Sequence, residues 1–354
     1  MENTKLNEAL LKLENNLDSI LNKESLKIND KYLDINKFKE QLSLKYNATT
    51  PENCVKSLIT DEFFEQDNIK YLIKYLKIDN TKDKPILINE KNYKDPFAPP
   101  IKPDILVEED FFNLGGHRLI FTKFPLFKEQ VLLVSKEFKS QYTHLTFENI
   151  RDAILLINSI DGCAFFNGGE KAGASQPRKH LQAFPYKSFP NGDKNFGMFK
   201  HIKNSDNLSE IQFENTLSNI KKLGNFYQIN QFTKENIEHI LFKFNDDMIE
   251  LMKKNEKANI TGELCLKIYE IFSEFLKLNE TRIMKDFSFL LTQEFMFAVR
   301  RKAHDIYISQ KDKEENKILN LNSLAFFFII VSRDPEQIQE IKESKILHDI
   351  YTKL

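Results

Sequence analysis

Cysteine is scarce. Cys54, Cys163 and Cys265 stand far apart in a chain of 354 residues. An odd, scattered trio cannot frame a disulfide-stapled fold or supply a cysteine-rich zinc site, so a reducing, cytoplasmic setting is expected. Net charge is missing as well: 51 Lys and Arg nearly cancel 52 Asp and Glu, leaving −1. No basic excess awaits a bulk polyanion such as DNA. Long hydrophobic runs are absent too, the longest, Leu324 to Val331, falling well short of the roughly 20 residues that span a bilayer. The polar opening Met1-Glu-Asn-Thr-Lys-Leu-Asn-Glu-Ala-Leu10 lacks the apolar centre of a signal peptide. Neither nucleic acid nor membrane is therefore an expected partner. The oligomeric state stays open, and a monomer is compatible with the sequence.

What is present is material for a core. Hydrophobic residues make up 41% of the chain, with 31 phenylalanines, which excludes global disorder. The length suits two domains or one elaborated α+β domain. Leucines at helical spacing predict a helix over 4–23. A second is expected over about 52–77, with Val55, Ile59, Phe63, Ile69, Leu72 and Leu76 on one face. Asp95-Pro-Phe-Ala-Pro-Pro100 reads as extended around its prolines. Arg118–Phe124 and Val131–Ser135 read as a strand hairpin. Thr146 reads as the N-cap of a helix through Ile160, with Ile150, Ile154 and Ile157 buried. Strands are expected at Cys163–Phe166 and His180–Phe184, helices from about 205 to 280, strands again at Phe287–Arg300, and a last helix over 335–351. The charged stretch Lys311–Lys317 reads as a solvated loop, and there is no internal repeat. The organisation expected is an N-terminal helical segment (1–80), a catalytic part (81–204), and a helical insertion with closing strands and helix (205–354).

The chemistry concentrates in one segment. Four of the ten glycines fall between Gly162 and Gly173. Glycine lets backbone N–H groups approach a phosphate unobstructed, and Asn167 and Ser175 add neutral donors; such loops also make ordinary hairpin turns. Beyond it, Arg178, His180 and Gln182 are spaced two apart. On a strand they share a face, while Lys179 and Leu181 point the other way. A neutral imidazole is a competent nucleophile near pH 7. Arg178 can hold phosphate oxygens, and the Gln182 amide can donate to an oxygen that gains charge. Taken singly, a histidine such as His180 is more often structural than catalytic, and Arg178 and Gln182 are more often surface groups than ligands.

At this segment the sequence resembles the diadenosine tetraphosphate phosphorylases, also called ATP adenylyltransferases, of the histidine-triad superfamily. Their signature runs Asn-x-Gly, a Gly-x-Ser loop, then His-x-His-x-Gln, and Asn167, Gly169, Gly173, Ser175, His180 and Gln182 match it at the same spacing. The likeness continues in Asp95-Pro-Phe-Ala-Pro-Pro100, Thr122-Lys-Phe124, Glu137-Phe-Lys-Ser-Gln141, Leu290-Leu-Thr292 and Asn322-Ser-Leu324, covering roughly 80–335. It implies a GalT-like α+β fold, an antiparallel sheet flanked by helices with extra N-terminal and central helices. It also implies phosphorolysis of diadenosine tetraphosphate by inorganic phosphate to ATP and ADP through a nucleotide carried on His180. A divalent cation, magnesium, would assist without a recognisable protein motif to bind it. By the same resemblance, Lys84, Thr122 and Lys123 would meet the polyphosphate. Asn167, Gly173, Ala174, Ser175 and Gln176 would cradle the α-phosphate with Arg178 and Gln182. Asn322, Ser323, Leu324, Ile329 and Arg333 would line the nucleotide site.

The chain departs from the pattern at Arg178, where the first motif histidine would stand, and at Thr122, where Asn is usual. Ala174 replaces a common Ser, and Ala325, Phe327 and Phe328 replace small residues, so the phenylalanines can reshape the nucleoside pocket. A polyphosphate hydrolase, a transferase for another nucleotide, and a dinucleotide-binding sensor without turnover are the competing functions.

Overall fold

The computed structural model describes residues 35–53, 57–66, 68–78, 95–194, 197–211, 224–253, 258–276, 286–303, 305–307, 314, 319–332 and 334–344. The helix expected over 4–23, all of 311–317 but Glu314, and the candidate residues Lys84 and Arg333 lie outside them.

Helix α1 (Ile35–Asn53) buries Phe38 and Leu42 and packs Phe38 against Phe111 with ring centroids 6.2 Å apart. The helix expected over 52–77 is instead an antiparallel hairpin of β1 (Ser57–Gln66) and β2 (Ile69–Ile78). Asn68 turns it with a φ of 63°, a left-handed conformation that Asn tolerates. Tyr71, Leu72, Ile73 and Lys74 are all buried, so both faces of β2 are covered, while β1 and a later strand pair with its two edges. The period-2 signal of a half-exposed strand is thereby erased.

A second sheet of ten strands, antiparallel throughout, carries the rest of the fold. Its strands are β3 (Leu106–Glu108), β4 (His117–Phe121), β5 (Val131–Ser135), β6 (Gly162–Gly168), β7 (His180–Pro185), β8 (Leu208–Glu210), β9 (Gly224–Ile229), β10 (His239–Phe244), β11 (Phe287–Leu291) and β12 (Phe295–Arg300). Across the sheet the order is β3-β4-β5-β7-β6-β11-β12-β10-β9-β8, so strands from before and after residue 204 join through β6 and β11. The region from 205 is thus not simply helical: three strands, with the short helix Asn230–Lys234 between the last two, precede the longer helices that begin at Asp246 and Ala258.

Helix α2 (Phe147–Ile160), begun at Thr146 as expected, covers one face of this sheet together with α3 (Asp246–Lys253) and α4 (Ala258–Phe275). Between them Ile150, Ile154 and Ile157 meet Leu133, Leu181, Ala183 and Phe289, all buried; each such Ile, Leu or Phe side chain contributes about 1.5–3 kcal/mol by leaving water. The opposite face divides in two. Phe165, Phe184, Leu290 and Phe297 form a large apolar patch with the C-terminal segments. Phe97, Ile120, Leu132 and Val134 form a small one.

The C-terminal part adds a short pair, β13 (Asp305–Ile306) with β14 (Leu319–Asn320), then a 3₁₀ turn over Ser323–Phe327. Phe328, at φ 61°, swings the chain into β15 (Ile329–Ser332), which pairs parallel with β2. Helix α5 (Pro335–Ser344) closes the described chain. Among the described residues no helix is long and apolar enough to cross a membrane.

Candidate active site

In antiparallel strands, directly paired residues share a face. The register Val134↔His180 and Leu132↔Gln182↔Phe165 therefore puts His180 and Gln182 on the face away from the helices, between the two apolar patches. Lys179 and Leu181 point toward the helices: Leu181 joins that core, and the Lys179 ammonium donates to the His144 carbonyl. Burial lowers the Lys179 pKa to about 8.

His180 is 4% exposed and held on three sides. Its N–H donates to Gln141 Oε1 at 2.8 Å, and its carbonyl accepts from Gln141 Nε2 at 3.3 Å. Its ring lies 5.0 Å from that of Phe97. The ring Nδ1 lies 2.9 Å from the Arg178 carbonyl. A carbonyl only accepts, so Nδ1 carries the proton and Nε2 keeps its lone pair. Nε2 makes no hydrogen bond to any described residue. Burial pushes the imidazole below its ordinary pKa, while the Arg178 carbonyl and Asp95 pull it back up. The result is a neutral ring of fixed tautomer with its reactive nitrogen unspent.

Arg178 sits where the register brings Ser140 opposite, and its guanidinium is turned to the protein. Nε donates to Asp95 Oδ2 at 2.7 Å, and Nη1 lies within 3.3 Å of the Ser135 and Lys136 carbonyls. Its plane faces Phe138 at 5.4 Å. Asp95 also accepts from the Phe97 N–H at 2.9 Å. That turn replaces the extended course expected from the prolines, because an aspartate carboxylate can bond to its own chain two residues on.

The glycine-rich loop turns back onto the end of β6. A Cβ on Gly169 (φ 89°) would stand 2.3 Å from Asp286 Oδ1, which in turn accepts the Lys171 N–H at 2.8 Å. The Gly173 and Ala174 N–H groups are already donated to the Glu170 and Gly169 carbonyls, so they brace the loop. Ser175 is exposed and makes no hydrogen bond to any described residue; Gln176 lies beside it. Gly173 packs on Asn322, to which a Cβ would come within 3.1 Å. The Asn322 side chain caps the 3₁₀ turn by accepting the Leu324 N–H at 2.9 Å. Asn167 Oδ1 accepts the Ser323 N–H at 3.0 Å, and the Asn167 carbonyl accepts from Gln141 Nε2 at 2.8 Å. The loop, β7 and the Asn322 turn thus meet around Asn167 and Gln141.

Gln182 is half-buried and accepts from Gln130 Nε2 at 2.9 Å. Gln130 closes the β4–β5 turn that carries Thr122 and Lys123, its carbonyl accepting the Thr122 N–H at 3.3 Å. Lys123 is exposed, with its ammonium 5.5 Å from the Phe124 ring. Leu324 and Ile329 are fully buried in the apolar patch. Phe327 stacks on Phe199 at 5.5 Å and Phe328 meets Tyr71 edge-on at 5.3 Å, so these phenylalanines fill core. Asp95, Phe97, Gln130 and Gln141 were not among the expected site residues, although Asp95-Pro-Phe and Glu-Phe-x-x-Gln141 were both legible landmarks.

Residues 29–198 match the Ap4A phosphorylase N-terminal domain family, and residues 236–353 match the ATP adenylyltransferase C-terminal domain family. Diadenosine 5',5'''-P1,P4-tetraphosphate phosphorylase 2 of Saccharomyces cerevisiae is 25% identical over 281 residues, spanning 74% of this chain and 75% of its own. Protein APA1 of the same yeast is 22% identical over 327 residues, spanning 87% and 91%. The crystal structure of yeast Ap4A phosphorylase Apa2 superposes with a TM-score of 0.62 at 21% identity, covering 89% of this chain and 95% of that one. Its complex with Ap4A gives 0.60 at 20% identity, covering 88% and 95%. These structures share the α+β fold described above.

Proposed function

The chain belongs to the Ap4A phosphorylase (ATP adenylyltransferase) family, and from that premise we propose that it is a nucleotidyltransferase splitting diadenosine tetraphosphate with inorganic phosphate into ATP and ADP, with AMP carried in between on His180. The observation that carries this reading is the His180 ring, neutral, with Nδ1–H on the Arg178 carbonyl and Nε2 unspent. The relative named as diadenosine tetraphosphate phosphorylase 2 and the Apa2–Ap4A complex support the substrate.

In the first step Nε2 attacks the α-phosphorus. An N–P bond forms, the bridging P–O bond breaks, and ATP leaves with that electron pair. The imidazole becomes cationic, and the Arg178 carbonyl accepting Nδ1–H and the Asp95 carboxylate near the ring both favour that charge. In the second step a phosphate oxygen attacks the same phosphorus. The N–P bond breaks, its electrons return to Nε2, and AMP plus phosphate leave joined as ADP. The Gln182 amide is the donor aimed at the α-phosphate; removing one preorganised donor of this sort costs about 10²–10³ in rate. Lys123 meets the outer phosphates.

Among the described residues no group of three His, Cys, Asp or Glu is placed to hold a metal ion, so magnesium would arrive bound to the polyphosphate. Product analysis tests the reading. ATP and ADP formed only when phosphate is present, and lost in His180→Ala, are expected. AMP and ATP formed equally well without phosphate would make the protein a hydrolase.

A further inference from the structure

We infer that Gln130 is a positioning residue, fixing which end of the Gln182 amide meets the substrate. This rests on the reading of Gln182 as the donor to the α-phosphate. A glutamine amide is nearly symmetric in shape, and a half-buried one facing a phosphate can offer either its NH₂, which binds the anion, or its oxygen, which repels it. Something must choose.

The choice is made two residues removed from the chemistry. Gln130 is 2% exposed, and its Oε1 faces the backbone N–H groups of Leu126 and Phe127 at 2.7 and 3.3 Å. Backbone N–H groups only donate, so the Gln130 atom facing them must be the oxygen, and its other end must be the NH₂. That NH₂ lies 2.9 Å from Gln182, which must therefore answer with its own oxygen. The Gln182 NH₂ is left turned away, with no hydrogen bond to any described residue, on the strand face it shares with His180. Two backbone donors in a turn thus set, through Gln130, the polarity of an amide 52 positions beyond it. The same turn carries Thr122 and Lys123, so one tight loop presents a polyphosphate cation and orients the α-phosphate donor.

Gln130 also staples its own turn, and the test must separate the two roles. Gln130→Glu keeps an oxygen for the Leu126 and Phe127 N–H groups but removes the donor to Gln182. The carboxylate then draws the Gln182 NH₂ toward itself and turns the Gln182 oxygen to the substrate. Gln130→Met removes both bonds but imposes no reversal. An orienting role predicts that kcat falls about 10²-fold in Gln130→Glu, and less in Gln130→Met. In a Gln182→Ala background, Gln130→Glu should cost no more than about twofold further, because its target is gone. If Gln130→Glu does not fold, Gln130→Met closes the same double-mutant cycle.

A simple staple predicts the opposite ranking, Gln130→Met the worse, with equal losses in both backgrounds. Either result overturns the inference while leaving the role of Gln182 standing. Wild-type turnover by Gln182→Ala would remove that role, and the inference with it.

Discussion

Gln141 offers the sharpest test of how the site is held. It is fully buried and bonds to the His180 N–H, the His180 carbonyl and the Asn167 carbonyl at 2.8, 3.3 and 2.8 Å. Gln141→Leu keeps most of the volume but removes all three bonds. Leaving a buried donor or acceptor unmatched costs about 1–3 kcal/mol. The two short bonds lost suggest a total of about 2–6 kcal/mol, a large share of the roughly 5–15 kcal/mol that holds a domain together. The functional loss should be larger still, because the same bonds fix His180 relative to Asn167. A displacement near 1 Å at a reacting group can cost about 10²-fold. Urea unfolding should show an unchanged slope and a lower midpoint, and steady-state kinetics a kcat near 1% of wild type with KM less affected. A stability change below about 1 kcal/mol together with normal kcat would refute the clamp.

Four further outcomes follow from the geometry. Burial lowers the His180 pKa, so the ring stays neutral below the ordinary histidine value. The acid limb of the kcat/KM profile should lie below pH 6.5, and a limb centred at or above it contradicts the reading. His239 is buried with Nδ1–H on the Ile237 carbonyl and Nε2 accepting the Ile229 N–H, and burial lowers its pKa to about 4. The unfolded chain therefore binds a proton that the folded one refuses. About 3 kcal/mol of stability, complete above pH 6.5, should drain away as pH falls to about 4, and His239→Gln should flatten that slope in urea titrations. Arg178→Ala strips Asp95 of its partner and should lower stability by about 2–4 kcal/mol; a raised KM at unchanged stability would instead put Arg178 on the substrate. Gly169→Ala forces a Cβ against Asp286 in a left-handed conformation, so its melting temperature should drop and its KM rise together.

How much of this was legible beforehand varies with the physics. Helix α2 opens on a clear cap at Thr146, and the hairpins β4–β5 and β11–β12 are short apolar runs of five or six residues bounded by turn residues, which read directly although both their faces are buried. The β1–β2 hairpin was invisible as a hairpin because burial on both sides of β2 removes alternation, and Ile69, Leu72 and Leu76 then mimic a helix. The Phe327–Phe328 pair looked like a threat to a nucleoside pocket, yet its volume is absorbed by packing against Phe199 and Tyr71, residues far away in sequence. Within the site, spacing alone put His180 and Gln182 on one face. It could not show that Arg178 would be turned to Asp95, 83 positions earlier. Nor could it show that Gln130 and Gln141 would hold Gln182 and His180. Such partners are set by tertiary pairing, and no local pattern encodes them.

Turnover through His180 requires a nucleotide covalently bound to its imidazole. Brief exposure of the protein to diadenosine tetraphosphate without phosphate, followed by peptide mass spectrometry under conditions that spare acid-labile N–P bonds, measures it directly. AMP is expected on the peptide containing His180, discharged as ADP when phosphate is added. An unmodified peptide, with full phosphorolytic activity retained in His180→Ala, would contradict it.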